Sequence, residues 1–307
     1  MTVPSHADAI TDPVPSPAPA VGKVKVACLQ VSAGPDPAAN LETLLPMIRQ
    51  ARDAGAEFIL TPENVVMIEP RRGPKFAKAE DEAHPAILPA LAEAARETGA
   101  WLLAGSLAVK VPGEDRLANR SYLFDPTGGI IARYDKIHMF DVQLANGESY
   151  KESNQFRPGN KAVVADTPFG RIGMTICYDL RFGQLYRALA QAGAGILTVP
   201  SAFTVPTGQA HWHTLLKARA IENGCFVLAP AQTGTHAEGR ATYGHSLIVA
   251  PWGEVLADGG GEVGIVMAEL DLAEIAKARA MVPSLTHDRD WSHPILGMEA
   301  PNKPIYG

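Results

Sequence analysis

Four residues have side chains suited to covalent chemistry and stand at the ends of predicted strands or in the loops beyond them: Glu63, Lys136, Glu152 and Cys177. Cys177 lies in Arg171-Ile-Gly-Met-Thr-Ile-Cys-Tyr-Asp-Leu-Arg-Phe182, where Ile172, Met174 and Ile176 alternate as in a buried strand. From Leu180 the spacing becomes helical, with Asp179 as a suitable N-cap. A thiol between a strand's carboxyl end and a helix's amino end would be favoured as thiolate by the helix dipole and free N–H groups. That is where a nucleophile would be placed. A small core hydrophobe would occupy the same position as well, and this stretch alone leaves both readings open. Glu63 follows the apolar run Phe58-Ile-Leu60, Lys136 ends the strand that starts at Ile130, and Glu152 lies in the loop beyond it. Taken singly, each reads equally as a solvated loop residue or a cap.

Other chemical motifs fall away. The three cysteines, Cys28, Cys177 and Cys225, form no CxxC pattern, and no His/Cys cluster offers a zinc site. Cys28 and Cys225 sit in apolar, strand-like runs and read as core. His211-Trp-His213 on a helix would point its two imidazoles apart. Gly259-Gly-Gly-Glu-Val-Gly264 fits GxGxxG, but a strand follows rather than a helix, so it reads as a hairpin turn and not a phosphate cradle. There is no GxSxG and no Walker sequence.

The elements that must position the four residues alternate along the chain. Strands are expected at 23–31, 57–60, 100–109, 120–124, 130–138, 162–167, 171–177, 195–200, 225–230 and 263–270, with two more flanking Trp252-Gly253. Helices are expected at 40–54, 83–98, 180–192, 209–223 and from Asp271 to 281. Residues 139–158 and 231–243 read as loops, and a loop as long as the first is usually functional or disordered. No repeat or linker interrupts the pattern. We therefore expect one α/β domain over 23–307, with helix layers covering mixed sheets, after a Pro- and Ala-rich disordered extension at 1–22.

With 27 basic and 33 acidic residues the 307-residue chain has a formal charge of −6, and its longest basic run is Arg71-Arg72. Neither a nucleic-acid surface nor an anionic membrane is indicated. No apolar run is long enough to span a bilayer, and 1–22 has neither the basic start nor the apolar segment of a signal peptide. The low, odd cysteine count suits a reducing, cytoplasmic compartment.

Together the four residues resemble the signature of the nitrilase (carbon–nitrogen hydrolase) superfamily. Its three segments correspond here to Thr61-Pro-Glu-Asn64, Tyr134-Asp-Lys-Ile-His-Met-Phe-Asp141 and Gly173-Met-Thr-Ile-Cys-Tyr-Asp-Leu-Arg-Phe182, and the similarity runs from about Val24 to about Leu285. Tyr150-Lys-Glu-Ser153, Pro200-Ser-Ala-Phe203, Arg219-Ala-Ile-Glu-Asn223 and Tyr243-Gly-His-Ser246 resemble the Nit branch, which includes deaminated glutathione amidases and omega-amidases. The resemblance implies a four-layer α-β-β-α sandwich that dimerises. It also implies hydrolysis of a small carboxylate-bearing carboxamide to acid plus ammonia through a thioester, with deaminated glutathione favoured. By the same resemblance Cys177 is the nucleophile and Glu63 the general base and acid. Lys136 and the Tyr178 N–H hold the oxyanion, Glu152 orients Lys136 and substrate, and no metal or cofactor is required. Arg181 would grip a substrate carboxylate, or else form a structural ion pair. Phe203 would wall the pocket, or else pack in the core. Gly183-Gln-Leu185 replaces the usual Pro/Ala-Glu-Leu and so alters local interface packing. The alternatives are an omega-amidase on 2-oxoglutaramate-like substrates, an N-carbamoyl amino acid or nitrile hydrolase, and an idle interaction scaffold.

Overall fold

The computed structural model describes residues 21–290 except 145, 146 and 148. The expected extension therefore lies, apart from Val21 and Gly22, outside the described residues. The first half of the chain contains β1 (Lys23–Gln30), α1 (Pro37–Asp53), β2 (Phe58–Leu60), α2 (Arg72–Lys78), α3 (Leu88–Thr98), β3 (Trp101–Val109), β4 (Ala118–Phe124) and β5 (Ile130–Asp135). A small hairpin of β6 (Asp141–Gln143) and β7 (Ser149–Lys151) follows. Next come β8 (Val163–Thr167), β9 (Gly170–Met174), α4 (Gly183–Gln191), β10 (Ala194–Thr198), α5 (Val205–Asn223) and β11 (Phe226–Ala229). The chain continues through β12 (Thr233–Thr235), β13 (Ala241–Tyr243), β14 (Leu247–Val249), β15 (Val255–Asp258), β16 (Gly264–Asp271) and α6 (Ala273–Met281).

Two six-stranded sheets result, ordered β16-β1-β2-β3-β4-β5 and β15-β14-β11-β10-β9-β8. Each has three parallel strands at its centre, β1-β2-β3 and β9-β10-β11. Helical crossovers (α1 and α3, α4 and α5) impose this, because parallel neighbours cannot be joined by tight hairpins. Strands covered on both faces read as continuous apolar runs, as Phe58-Ile-Leu60 does. Val26, Phe58, Leu60 and Leu103 share a core with Ile172, Met174, Ile196 and Val227 of the other sheet. Ala27, Leu29, Ile59 and Leu102 face the opposite way, onto Leu44 and Ile48 of α1 and Leu91 and Ala95 of α3. Leu189 of α4 and Trp212 and Leu216 of α5 cover the outer face of the second sheet. The layers are thus α-β-β-α, as expected.

Local departures have physical causes. The helix expected over 83–98 starts only at Leu88, because the Glu80 carboxylate takes the N–H groups of Ala86 and Ile87 at 2.9 and 2.7 Å. The glycine-rich 259–264 segment is not a hairpin turn. It carries the chain from β15 in one sheet to β16 in the other, where β1 is the partner. Gln30 holds the crossing, donating from Nε2 to the carbonyls of Gly260 and Glu262 at 2.9 and 2.7 Å. Both expected loops contain short hairpins, β6–β7 and β12–β13. At a bulge in β3, a Cβ on Gly105 would lie 1.9 Å from the Thr61 carbonyl oxygen and 2.5 Å from that of Pro62. This glycine lets β3 press directly against the segment that carries Glu63.

Candidate active site

Each of the four residues leaves its element on a pinned backbone. At Glu63, the Asn64 N–H donates to Ser106 Oγ at 2.9 Å, and Gln232 Nε2 donates to the Glu63 carbonyl at 3.0 Å. Just past β5, the Lys136 N–H donates to the Asn119 carbonyl at 2.9 Å and its carbonyl accepts from Gly159 N at 2.7 Å. Glu152 opens a 3₁₀ turn directly after β7. The Cys177 N–H donates to the Pro200 carbonyl at 3.0 Å.

The turn at Cys177 differs from the expected one. The strand stops at Met174, a 3₁₀ segment runs Cys177–Arg181, and α4 begins at Gly183. Asp179 is not the N-cap of a helix starting at Leu180. Its buried carboxylate accepts from Ile176 N at 2.9 Å, His138 N at 3.0 Å and the Tyr134 hydroxyl at 2.7 Å, and meets His138 Nδ1 at 2.7 Å. The aspartate thereby ties the cysteine turn to the chain around Lys136. Cys177 has φ 49° and Asn64 has φ 54°, both left-handed and costly for a side-chain-bearing residue. Such strain is sustained only where surrounding structure over-determines it.

The side chains converge. Lys136 Nζ lies 2.8 Å from Glu63 Oε1 and 3.0 and 2.9 Å from the two oxygens of Glu152. Asn119 Nδ2 donates to Glu63 Oε1 at 2.8 Å and Glu152 Oε1 at 3.2 Å. Ala202 N donates to Glu63 Oε2 at 2.9 Å, and the Cys177 thiol and the Glu63 carboxylate are near enough to perturb each other. Glu63 and Lys136 are only 3% and 2% exposed, so their attraction is little screened.

Burial alone would raise the Glu63 carboxyl, but the charge and hydrogen bond of Lys136, helped by the thiol, hold it below the usual range. Burial would likewise lower the Lys136 ammonium, but Glu152 and Glu63 outweigh it and push its pKa well up, so it stays a cation. The thiol behaves opposite to the sequence expectation. Burial first, then the Glu63 charge, push Cys177 above an ordinary cysteine, and Lys136 only partly offsets them. A short 3₁₀ segment supplies little dipole. The thiol therefore rests protonated against a charged carboxylate, an arrangement in which the proton can leave as sulfur attacks.

All four residues line one cavity of about 350 Å³, together with Tyr178 and Phe203. Arg181 is not among the lining residues. Its guanidinium lies over the Tyr178 and Phe203 rings, 5.7 Å from each centroid, and Nη2 is 3.3 Å from His211 Nδ1. The cations that do line the cavity, besides Lys136, are Lys75, Lys151 and Arg240 among the described residues. Arg240 Nη2 donates to the Ala202 carbonyl at 3.0 Å, and its guanidinium lies 5.8 Å from the Tyr150 ring centroid. Burial, and secondarily Arg240, push Lys75 down to about 8.

Sequence reasoning missed Asn119, Lys75 and Arg240. Asn119 left little signal, because it stands beside Arg120 and Ser121, just before the strand expected from 120. Arg240 and Lys75 left none, because an arginine or lysine in a loop or on a short helix is ordinary.

The carbon–nitrogen hydrolase family profile matches residues 25–280. The chain is 40% identical over 273 residues to the deaminated glutathione amidase of Yersinia enterocolitica, covering 86% of this chain and 92% of that protein. The crystal structure of the Caenorhabditis elegans NitFhit protein is similar at a TM-score of 0.82 and 36% identity, over 88% of this chain and 66% of that one. Saccharomyces cerevisiae Nit3, a member of branch 10 of the nitrilase superfamily, is similar at 0.79 and 29% identity, over 88% and 97% of the two chains. With its fold, its convergent cysteine, lysine and glutamates and these matches, the chain belongs to the carbon–nitrogen hydrolase family.

Proposed function

We propose that this protein is a cysteine-dependent amidase acting on a small carboxylate-bearing amide through a thioester, with deaminated glutathione as the favoured substrate. The observation that carries the reading is the Lys136 ammonium clamped between Glu63 and Glu152, with Cys177 on the wall of the same cavity.

Glu63 takes the thiol proton as sulfur attacks the amide carbon. The carbonyl oxygen becomes an oxyanion facing Lys136 and the Tyr178 N–H. The tetrahedral adduct collapses, the C–N bond breaks, and Glu63 returns the proton to the departing nitrogen. Water, deprotonated by Glu63, then attacks the thioester; the acid leaves and the thiolate regains its proton. Glu152, with Asn119, holds Lys136 in place and keeps it charged. For a primary amide the leaving group is ammonia. Deaminated glutathione is a secondary amide, so there it is the amine of the remaining dipeptide.

The substrate assignment draws on relatives named for that activity and on the cavity. Its volume suits a small ligand, and Lys75 and Arg240 offer cations to substrate carboxylates. Phe203 walls the cavity. Arg181 holds this wall through its rings and is proposed to act on substrate only indirectly. The test is a panel of deaminated glutathione, dicarboxylic monoamides, N-carbamoyl amino acids and nitriles, read as amine or ammonia release. Fastest turnover of a ureide or nitrile, or no turnover at all, would refute the reading.

We also propose a homodimer. Trp212 and Leu216 of α5 are spent inside the protomer, but Ile221 is 54% exposed and Trp252 49% exposed. The Ile221 side chain lies over Gly253, so the two share one surface. A monomer by sedimentation at micromolar concentration would contradict this. No helix among the described residues is long and apolar enough to cross a membrane. The three cysteines are unpaired, which supports a reducing compartment; an exported full-length chain would contradict that assignment.

A further inference from the structure

His213, His245 and Asp258 are far apart in sequence, yet one ligand atom from each lies within 4.8 Å of the others. His213 projects from the middle of α5, His245 lies between β13 and β14, and Asp258 ends β15. His213 Nε2 is 2.9 Å from Asp258 Oδ2, and His245 Nδ1 is 2.9 Å from Asp258 Oδ1. We propose that these three side chains bind a divalent first-row transition metal, zinc being the ion their chemistry fits best.

Two imidazoles and one carboxylate are a borderline donor set that selects zinc and its neighbours over calcium or magnesium. Zinc ligands at 2.0–2.1 Å in a tetrahedron stand about 3.3 Å apart. Asp258 Oδ2 lies 2.9 Å from His213 Nε2 and 3.2 Å from His245 Nδ1, so these pairs need open by at most about 0.4 Å, while the two imidazole nitrogens, within 4.8 Å of each other, close on the ion and present lone pairs in place of protons. Three protein ligands leave a fourth position for water. The donors are also held in place. Asp258 Oδ1 accepts from Gly260 N at 2.9 Å, and the His245 N–H donates to the Gly260 carbonyl at 2.7 Å. The Tyr243 ring stacks on His245 and meets His213 edge-on, walling one side.

His245 has φ 54°. The other non-glycine residues with left-handed backbone among those described, Asn64, Cys177 and Glu238, all line the amidase cavity. Here the strained residue instead aims an imidazole at an aspartate outside that cavity. The site nevertheless connects to the cavity, because Trp212 Nε1 donates to the His245 carbonyl at 2.7 Å and Trp212 packs on Phe203. A bound ion would brace α5 against the β14–β15 hairpin and steady that wall, with no part in the proposed hydrolytic steps.

The test is calorimetric titration of chelator-treated full-length protein with zinc chloride, alongside visible spectra with cobalt(II). One ion per chain is expected. Cobalt should give ligand-field bands without a thiolate charge-transfer band, which separates this site from Cys177. Asp258→Asn, which keeps shape and hydrogen bonding, and His213→Ala should each weaken binding by at least about tenfold and abolish zinc-dependent thermal stabilisation. His211→Ala, one residue from Trp212 but outside the cluster, should bind as the parent does. No binding by the parent, a thiolate band, or unchanged affinity in folded Asp258→Asn would each overturn the proposal, leaving the aspartate as a plain acceptor for two imidazoles.

Discussion

Replacing Lys136 by glutamine removes the cation that lies 2.8 Å from Glu63 and 2.9 Å from Glu152. Breaking a buried pair by deleting one partner costs roughly 3–5 kcal/mol, because a charge is left unpaired. Two carboxylates then share one buried site and cannot both stay ionised. Burial and mutual repulsion both act upward, so one of them keeps its proton at neutral pH, which limits the loss to about 3 kcal/mol. The pH dependence reverses as a result. In the parent, the depressed Glu63 carboxyl contributes stability present above the unfolded value near 4.3 and lost as pH falls through the folded one. In Lys136→Gln the folded state binds an extra proton, so stability falls as pH rises above about 4.3. The stability gap should therefore be widest near neutrality and narrow toward acid. Activity should drop at least about a thousandfold, from loss of oxyanion stabilisation and a disabled base together. Urea unfolding at about pH 5 and about pH 7.5, with amide turnover measured in parallel, checks both. Adding Glu152→Gln should recover stability but not turnover. Activity within tenfold of the parent, or a gap that widens on acidification, would refute the reasoning.

Other expectations follow from the same geometry. If Lys75 receives a substrate carboxylate, KM should rise about tenfold, equivalent to about 1.4 kcal/mol, as pH climbs through about 8 and the ammonium is lost; Lys75→Arg should flatten that rise, and an unchanged profile would exclude the contact. His138 stacks on Phe182 at 3.5 Å and meets Asp179 but does not line the cavity, so His138→Asn should keep a measurable part of the turnover; complete loss would point to a histidine base. Cys28 and Cys225 are wholly buried while Cys177 opens on the cavity, so iodoacetamide should label Cys177 first, as peptide mapping would show.

The layers were legible because apolar periodicity carried them: alternation with helical stretches signalled crossovers and parallel strands, and Phe58-Ile-Leu60 had the continuous burial of a central strand. Glu63, Lys136, Glu152 and Cys177 were legible because each sits in a distinctive local string. Other features were hidden. The Asp179 carboxylate accepts locally from Ile176 N but is also spent on Tyr134 of β5 and His138 after it, a tertiary use that no local capping rule reveals. The path of 259–264 depends on β16 pairing with β1, more than two hundred residues away. The thiol's raised pKa follows from burial beside a carboxylate, whereas the sequence offered only the strand-to-helix junction. His213, His245 and Asp258 were invisible for a related reason, since their meeting depends on α5 lying against the β15 end.

The central claim is that Cys177, relieved of its proton by Glu63, carries the acyl group. Rapid-quench mass spectrometry of the intact protein during turnover, followed by peptide mapping, tests it most directly. A mass gain equal to the acyl portion of the amide is expected on the peptide containing Cys177, and none in Cys177→Ala, which should be folded and inactive. Turnover by Cys177→Ala, or an acyl group found on another residue, would contradict it.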